Sequence, residues 1–306
     1  MPDFVEVPDA PSAGGKGRIR YDRREGPAGR PVLVLVGGMT QTVSSWAGQM
    51  RPLSQTRPVL AYEARGQGRT ELDLADASLP RHVDDLVALV EGLSLPTPFD
   101  LCGFSFGGRV ALATAAQRPD LVRRLVISGV GRDRTVLGKT IVEGWLAALK
   151  TGDLEALARI SLSDIVGPGY LEANGDMVEP MIRAVVERNS FEGISALFRD
   201  TLARGPDSRW APDALAPRVR CPTFVTGGAQ DRIAPPAEVR ALASMLRASH
   251  RIFDDAGHTV PIEAAEHWRR ALLSFLDAEH PNASTTVNDG TVPQGVGDPA
   301  EESVGP

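Results

Sequence analysis

The sequence has only two cysteines among its 306 residues, and aromatic side chains make up 5% of it. Cys102 and Cys221 each lie in an apolar, strand-like run, so we expect two buried thiols rather than a disulfide, a pattern typical of a reducing compartment. The chain also lacks an apolar run of about 18 residues, so the sequence predicts no membrane-spanning helix and no membrane partner. Residues 1–15 have neither a basic start nor an apolar stretch. We therefore expect no signal peptide and a cytoplasmic location.

Positive charge is also limited. The 33 lysines and arginines are outnumbered by 39 aspartates and glutamates, which gives a net charge of −6, and no basic tract occurs. This balance argues against a nucleic-acid partner. We expect neither a metal nor an organic cofactor, and the expected partner is a small-molecule substrate. The sequence does not indicate an oligomeric state.

The continuous apolar run at 31–36 predicts a strand that is covered on both faces of a sheet, and the runs at 58–62 and 98–102 predict two more buried strands. Further strands are expected at 125–128, 222–226 and 251–253. These strands alternate with segments whose apolar residues recur at helical spacing, and two short edge strands are expected at 3–7 and 17–24. This alternation predicts a mostly parallel sheet with helices on both faces. We assign residues 1–130 and 219–280 to this α/β core.

Residues 131–218 follow a different pattern, because stripes of Trp, Met, Leu and Phe recur at helical spacing with no strand between them. We predict that they form an all-helical cap inserted into the core, with additional packing helices as the alternative. Residues 281–306 are polar and contain Pro and Gly, with almost nothing to bury, so we predict a disordered tail.

A strand-to-helix turn at Gly103-Phe104-Ser105-Phe106-Gly107 is the central feature of the sequence. A serine at the top of such a sharp turn has a strained backbone, which is tolerated when glycines flank it at two residues on either side. The turn exposes the hydroxyl and directs the N–H groups at the start of a helix toward its surroundings. A glycine-rich turn without chemistry is the alternative.

A serine hydroxyl needs a base to become a nucleophile at neutral pH. Of five histidines, His258 alone lies in a loop just past a predicted strand, where a parallel sheet places its functional groups. A merely solvated loop histidine is the alternative there. His82, by comparison, falls in a polar patch of a predicted helix.

The base needs an acid to orient it, and Asp231, directly after a predicted strand, is our first candidate. Asp133 also follows a strand, and Asp254 and Asp255 are close to the histidine in sequence. The serine, the aspartate and the histidine each follow a different strand, and they occur in that order along the chain.

These features together resemble the α/β-hydrolase family from about residue 17 to residue 278. The motifs that carry the resemblance are the nucleophile elbow at 103–108, the acid loop at 228–231, the histidine loop at 256–261 and the Asp-x-Arg-Gly-x-Gly-x-Ser loop at 63–70. Glu63 and Thr70 depart from the last motif, and we expect them to affect only loop packing. Gly37 replaces the family's usual histidine in the loop after the first buried strand.

The resemblance implies that Ser105 attacks a carbonyl, that His258 takes its proton and that Asp231 orients the imidazole. It also implies that the backbone N–H groups of Met39 and Phe106 bind the oxyanion. The expected reaction is hydrolysis of a carboxylic ester, a lactone or a thioester through an acyl-serine intermediate.

Four further residues are candidates for substrate binding, namely Gly38, Arg109, Trp145 and Met181. The sequence 105–109 also resembles the elbow of the menaquinone-pathway lyases that expel pyruvate, in which the serine is a base and the arginine binds a carboxylate. A third hypothesis is a ligand receptor on the same fold, since an intact triad does not separate turnover from sensing.

Overall fold

An eight-stranded sheet forms the centre of the computed structural model, which describes residues 3–9, 15–202 and 208–279. Its strands are β1 (Asp3–Pro8), β2 (Lys16–Arg24), β3 (Leu33–Val36), β4 (Val59–Tyr62), β5 (Phe99–Phe104), β6 (Val122–Ser128), β7 (Thr223–Gly228) and β8 (Ser249–Phe253). The spatial order is β1-β2-β4-β3-β5-β6-β7-β8. Strands β1 and β2 are antiparallel to their neighbours, and β3 to β8 run parallel. The predicted mostly parallel α/β sheet is thereby confirmed.

The continuous apolar runs correspond to strands that are covered on both faces. Every residue of β3, β4 and β5 is buried. Side chains alternate across the sheet, so that Val34 and Val36 join one apolar cluster while Leu33 and Leu35 join the other. Because the strands are parallel, the loops that follow β3, β5, β6, β7 and β8 meet at one edge of the sheet.

Helices cover both faces of the sheet. On one face lie α2 (Leu79–Gly92), α3 (Phe106–Gln117) and α10 (Pro236–Met245), and on the other lie α1 (Ala47–Leu53) and α12 (Ala265–Asp277). The short helix α11 (Val260–Glu263) precedes α12. None of the helices in the described part of the chain is long and apolar enough to cross a membrane.

Only helices lie between β6 and β7 in the described part of the chain. They are α4 (Val136–Leu149), α5 (Leu154–Ile165), α6 (Pro168–Ala173), α7 (Val178–Arg188), α8 (Phe191–Leu202) and α9 (Pro212–Leu215), with 3-10 turns at Gly175–Met177 and Ala216–Arg218. The described part of 131–218 thus consists of helices and the turns that join them, and its assignment as a separate cap stays a prediction. The predicted disordered tail, 281–306, lies outside the described residues.

Candidate active site

Ser105 lies in the turn between β5 and α3, with φ at 51° and ψ at −114°. The turn is tight because the backbone at Gly103 and Gly107 passes close to other backbone atoms. A Cβ atom on Gly103 would lie 2.2 Å from the carbonyl oxygen of Gly107, and one on Gly107 would lie 2.2 Å from that of Val36. Only glycine fits at both positions, which explains the spacing seen in the sequence. The Ser105 N–H donates to the Ser128 carbonyl at 2.8 Å, and this bond fixes the turn to the neighbouring strand.

The loop after β8 brings His258 to this serine. The His258 Nε2 atom lies 2.8 Å from Ser105 Oγ, and its Nδ1 atom lies 2.7 Å from Asp231 Oδ2. The other oxygen of Asp231, Oδ1, accepts the N–H groups of Ile233 at 2.8 Å and Ala234 at 2.9 Å. Because an ionised carboxylate only accepts hydrogen bonds, Nδ1 of the neutral imidazole carries the proton and Nε2 accepts the serine hydroxyl. This arrangement can transfer a proton from Ser105 to His258.

The other acid candidates are not in this arrangement. Asp133 is exposed, and its Oδ1 accepts the N–H of Arg134 at 2.7 Å. Asp254 and Asp255 are exposed as well. The structure therefore brings Asp231, rather than these three, to the histidine. The reason is that Asp231 follows β7, the strand that lies next to β8 in the sheet.

His82 differs from the expectation of a polar patch. The structure buries it to 1% exposure, and its ring stands edge-on to the ring of Phe106 with 4.8 Å between the centroids. The helical pattern around it could not reveal this, since α2 packs on α3 and a polar residue facing α3 is buried in that contact.

The two predicted oxyanion donors, Met39 and Phe106, belong to different segments of the chain. Phe106 is the first residue of α3, so its N–H has no acceptor within the helix. Met39 follows β3, and both residues line the same cavity as Ser105. The Gly38 N–H donates to Gln41 Oε1 at 2.8 Å and its carbonyl accepts Gln67 Nε2 at 2.7 Å, and its role in substrate binding stays a prediction. Gly38 is therefore part of the support of this loop.

The cavity has a volume of about 480 Å³ and lies over the edge of the sheet where these loops meet. Ser105 and His258 line it together with Arg109, Trp145 and Met181, the three other predicted binding residues. The Trp145 Nε1–H donates to Asp164 Oδ2 at 2.9 Å, which ties α4 to α5. The structure thus places all three on the wall, and their roles in binding stay predictions.

The loop at 63–70 supports the Met39 segment through Gln67, a residue that sequence analysis did not single out. Glu63 Oε2 accepts the N–H of Arg69 at 2.6 Å, and Thr70 Oγ1 donates to the Glu63 carbonyl at 2.6 Å. Buried Arg65 is held by Asp85 at 2.6 Å and by Asp9 at 3.0 Å. These bonds make the loop a fixed base for the Gln67 amide. The Gly-x-Gly motif in this loop was the sequence signal for this support, since its glycines let the backbone and side chains come close together.

Sequence analysis also missed Glu263, whose carboxylate joins the histidine loop to the segment after α5. Its Oε2 accepts the N–H groups of Gly167 at 2.7 Å and Gly257 at 2.8 Å. Its Oε1 accepts the Thr259 N–H at 2.9 Å and the Thr259 hydroxyl at 2.7 Å. In addition, the His258 N–H donates to the Ile165 carbonyl at 2.8 Å. The only sequence signal for this role of Glu263 was the presence of an acidic residue five positions after His258.

No group of three or more His, Cys, Asp or Glu side chains in the described ranges is arranged to hold a metal ion. The groups that the site offers for chemistry are the serine, the imidazole, the carboxylate and backbone N–H groups.

A parallel sheet with this turn and these three strand-end loops is the architecture of hydrolytic enzymes. A family model described as the alpha/beta hydrolase fold matches residues 31–265. The chain belongs to the α/β-hydrolase family and is a hydrolase.

Named relatives agree with this assignment. The chain is 30% identical over 254 residues to a pyrrolizixenacetamide deacetylase of Xenorhabdus hominickii, and the aligned region covers 81% of this chain and 92% of the relative. It is also 30% identical over 264 residues to a 2-hydroxymuconate semialdehyde hydrolase of Pseudomonas sp. strain CF600, with 84% and 90% covered. An enol-lactonase structure from Burkholderia xenovorans LB400 superposes with a TM-score of 0.74 at 24% identity, with 89% and 100% covered. This last similarity concerns the fold alone.

Proposed function

We propose that this chain is a serine hydrolase that cleaves a carboxylic ester, a lactone or a thioester of a small molecule through an acyl-serine intermediate. One observation carries the proposal, namely the relay in which Ser105 Oγ is 2.8 Å from His258 Nε2 and His258 Nδ1 is 2.7 Å from Asp231 Oδ2. Asp231 and His258 are only 3% and 4% exposed, so water competes little with these bonds.

The reaction has two halves. In the first, Ser105 Oγ attacks the carbonyl carbon while its proton passes to His258 Nε2, and the proton then goes to the leaving oxygen or sulfur as its bond to the acyl carbon breaks. In the second, His258 takes a proton from water, whose oxygen attacks the acyl carbon; the bond from that carbon to Ser105 Oγ then breaks, His258 returns the proton to Oγ, and the carboxylic acid is released. Asp231 orients the imidazole and stabilises its cation.

The negative charge that develops on the carbonyl oxygen needs donors that are already in place. We assign this role to the N–H groups of Met39 and Phe106, each worth about 3–4 kcal/mol of the barrier in comparable sites. The Gln67 amide supports the first of them through the Gly38 carbonyl, at 2.7 Å.

The test uses a fluorophosphonate probe together with short-chain aryl esters, lactones and thioesters. We expect one covalent label per chain on Ser105 and rapid multiple turnover of at least one substrate class. The Ser105→Ala variant should keep its melting temperature, lose the label and lose on the order of 10⁴-fold or more in turnover. A label that persists in Ser105→Ala would refute the assignment of the nucleophile.

A second candidate is the pyruvate-expelling lyase, which is favoured by one observation, the position of Arg109 on the cavity wall. Release of pyruvate without an acyl-serine would select it. Binding of a ligand with only single, slow cleavage would instead select the receptor hypothesis.

A further inference from the structure

The charged residues that line the cavity are mostly cationic, although the chain as a whole carries a net charge of −6. Besides the histidine, the described residues that line it include the arginines Arg109, Arg134 and Arg188 and one carboxylate, Asp133. A cleft with an excess of one sign attracts ligands of the other sign. The wall is thus suited to an anion in a protein that would otherwise repel one.

Arg134 is the most informative of these arginines. It lies between β6 and α4, is half-buried and lines the cavity. Its guanidinium donates no hydrogen bond to, and forms no ion pair with, any side chain or carbonyl in the part of the chain that is described. Burial lowers the pKa of the Arg134 guanidinium, and the charge of neighbouring Asp133 opposes that shift only in part. Asp133 itself is exposed and bonds to the Arg134 backbone.

Two other sheltered arginines, Arg65 and Arg123, have carboxylate partners, whereas Arg124 donates to the backbone carbonyls of Phe275 and Ala278. Arg65 lies 2.6 Å from Asp85, and Arg123 lies 2.6 Å from Asp100. A guanidinium taken partly out of water without such a partner costs free energy in the unliganded protein. A bound anion would remove that cost, and a carboxylate matches the planar fork of a guanidinium with two parallel hydrogen bonds.

We propose that Arg134 binds a carboxylate of the substrate, so that the substrate is an ester, a lactone or a thioester with a free carboxylate on its acyl part. This inference rests on the proposed function, since Ser105 and Arg134 line the same cavity. The carbonyl that is attacked lies at the serine while the carboxylate lies at the arginine. Arg134 then selects the substrate and takes no part in bond breaking.

The test compares two esters of equal length, mono-4-nitrophenyl adipate and 4-nitrophenyl hexanoate, which differ in a terminal carboxylate or methyl group. We expect a higher kcat/KM for the adipate ester. Arg134→Gln should lower the ratio of the two kcat/KM values by about 10- to 100-fold, as expected for a lost charge-assisted bond. Arg134→Lys, which keeps the charge without the fork, should fall between. Arg183→Gln, on the exposed side of α7 and away from the cavity, should leave the ratio unchanged.

An unchanged ratio in Arg134→Gln would overturn the proposal, as would a native preference for the hexanoate ester. A structural role for Arg134 would lower the melting temperature on substitution, whereas removal of an unpartnered cation should not. Adipate binding to Ser105→Ala, measured by calorimetry, separates this inference from the proposed function because it needs no chemistry. Adipate binding that is lost when Arg134→Gln is added supports the anion site even if no ester is cleaved. If the protein hydrolyses the esters but does not bind adipate, the anion site is refuted and the proposed hydrolase function is not.

A second inference rests on a different observation, the four hydrogen bonds of Glu263. This carboxylate and the Ile165 carbonyl together hold the His258 loop against the segment after α5. We infer that Glu263 is a positioning residue, which keeps the imidazole within reach of Ser105 without touching the substrate.

The test is Glu263→Gln, with Glu266→Gln on the exposed face of α12 as its matched control. An amide group cannot accept at both ends, so two of the four donors lose their acceptor. We expect kcat and the rate of fluorophosphonate labelling to fall together by about tenfold or more, with KM little changed. Glu263→Gln that labels at the native rate would overturn the inference, because a purely structural carboxylate would alter the melting temperature without slowing the labelling of folded protein.

Discussion

Replacing Asp231 by Asn exchanges one oxygen of the relay for an NH₂ group, and the structure determines which oxygen is lost. The Ile233 and Ala234 N–H groups point at Oδ1 from 2.8 and 2.9 Å. An NH₂ group placed there would face two donors and leave both unsatisfied, at about 1–3 kcal/mol each. The amide oxygen therefore takes that position, and the NH₂ group faces His258 Nδ1 in place of Oδ2, which lies 2.7 Å from it.

The imidazole must respond by changing its tautomer. Once Nδ1 accepts a hydrogen bond from the amide that replaces the Asp231 carboxylate, the proton of the neutral ring moves to Nε2, which is 2.8 Å from Ser105 Oγ. A nitrogen that already carries a proton cannot take another from the serine. We expect a loss of about 10⁴-fold in kcat, which corresponds to about 5 kcal/mol of barrier.

The assay is kcat on the smallest ester that is cleaved, beside the melting temperature. Asp133→Asn is the matched control, because it removes an exposed carboxylate that lines the cavity and does not contact His258. Asp231→Asn should melt within a few degrees of the native protein, since its backbone bonds persist. A variant that keeps more than about a tenth of kcat would refute the tautomer argument, and a larger loss in Asp133→Asn would move the acid to another strand end.

Three further predictions concern the support of the site and its wall. Gly107→Ala should destabilise the protein by about 1–3 kcal/mol or more in urea unfolding, because its Cβ would lie 2.2 Å from a carbonyl oxygen of β3. The control Gly144→Ala lies in α4, where the Cβ would have open space around it, and should stabilise the protein by up to about 1 kcal/mol. Equal effects of the two substitutions on stability would contradict the close approach of the backbone at Gly107. Gln67→Leu removes the donor to the Gly38 carbonyl and should lower kcat about tenfold with little change in KM. An unchanged kcat would mean that the loop containing Met39 keeps its conformation without the Gln67 hydrogen bond. Met181→Ala should alter KM and the ranking of acyl chains more than kcat on the smallest ester, and an unchanged ranking in a stable variant would place the pocket elsewhere.

The sequence was sufficient for the sheet, and it also predicted the three residues that the structure brings within hydrogen-bond distance of one another. Ser105, Asp231 and His258 each follow a different strand, and in a parallel sheet the residues that follow the strands meet at one edge. The flanking glycines restricted the serine to a sharp turn.

The wall and the supports of the site were harder to predict. An apolar stripe on a helix marks a face away from water, but the stripe is the same whether that face meets the core or an open cavity. Arg134 and Glu263 have no periodic pattern at all, since their roles depend on what lies opposite them in space. The motif position of Gly38 likewise does not show that two glutamine side chains bind its backbone groups.

The hydrogen bond from the His258 N–H to the Ile165 carbonyl, at 2.8 Å, has a consequence for protein engineering. Helices inserted between two strands look like an interchangeable module that could be exchanged between enzymes to change selectivity. In this protein the inserted segment provides an acceptor for the loop that carries the base, and Glu263 ties the same two segments again. A chimera that imports foreign helices therefore needs the matching loop at 257–263, so that selectivity and the base are transplanted as one unit.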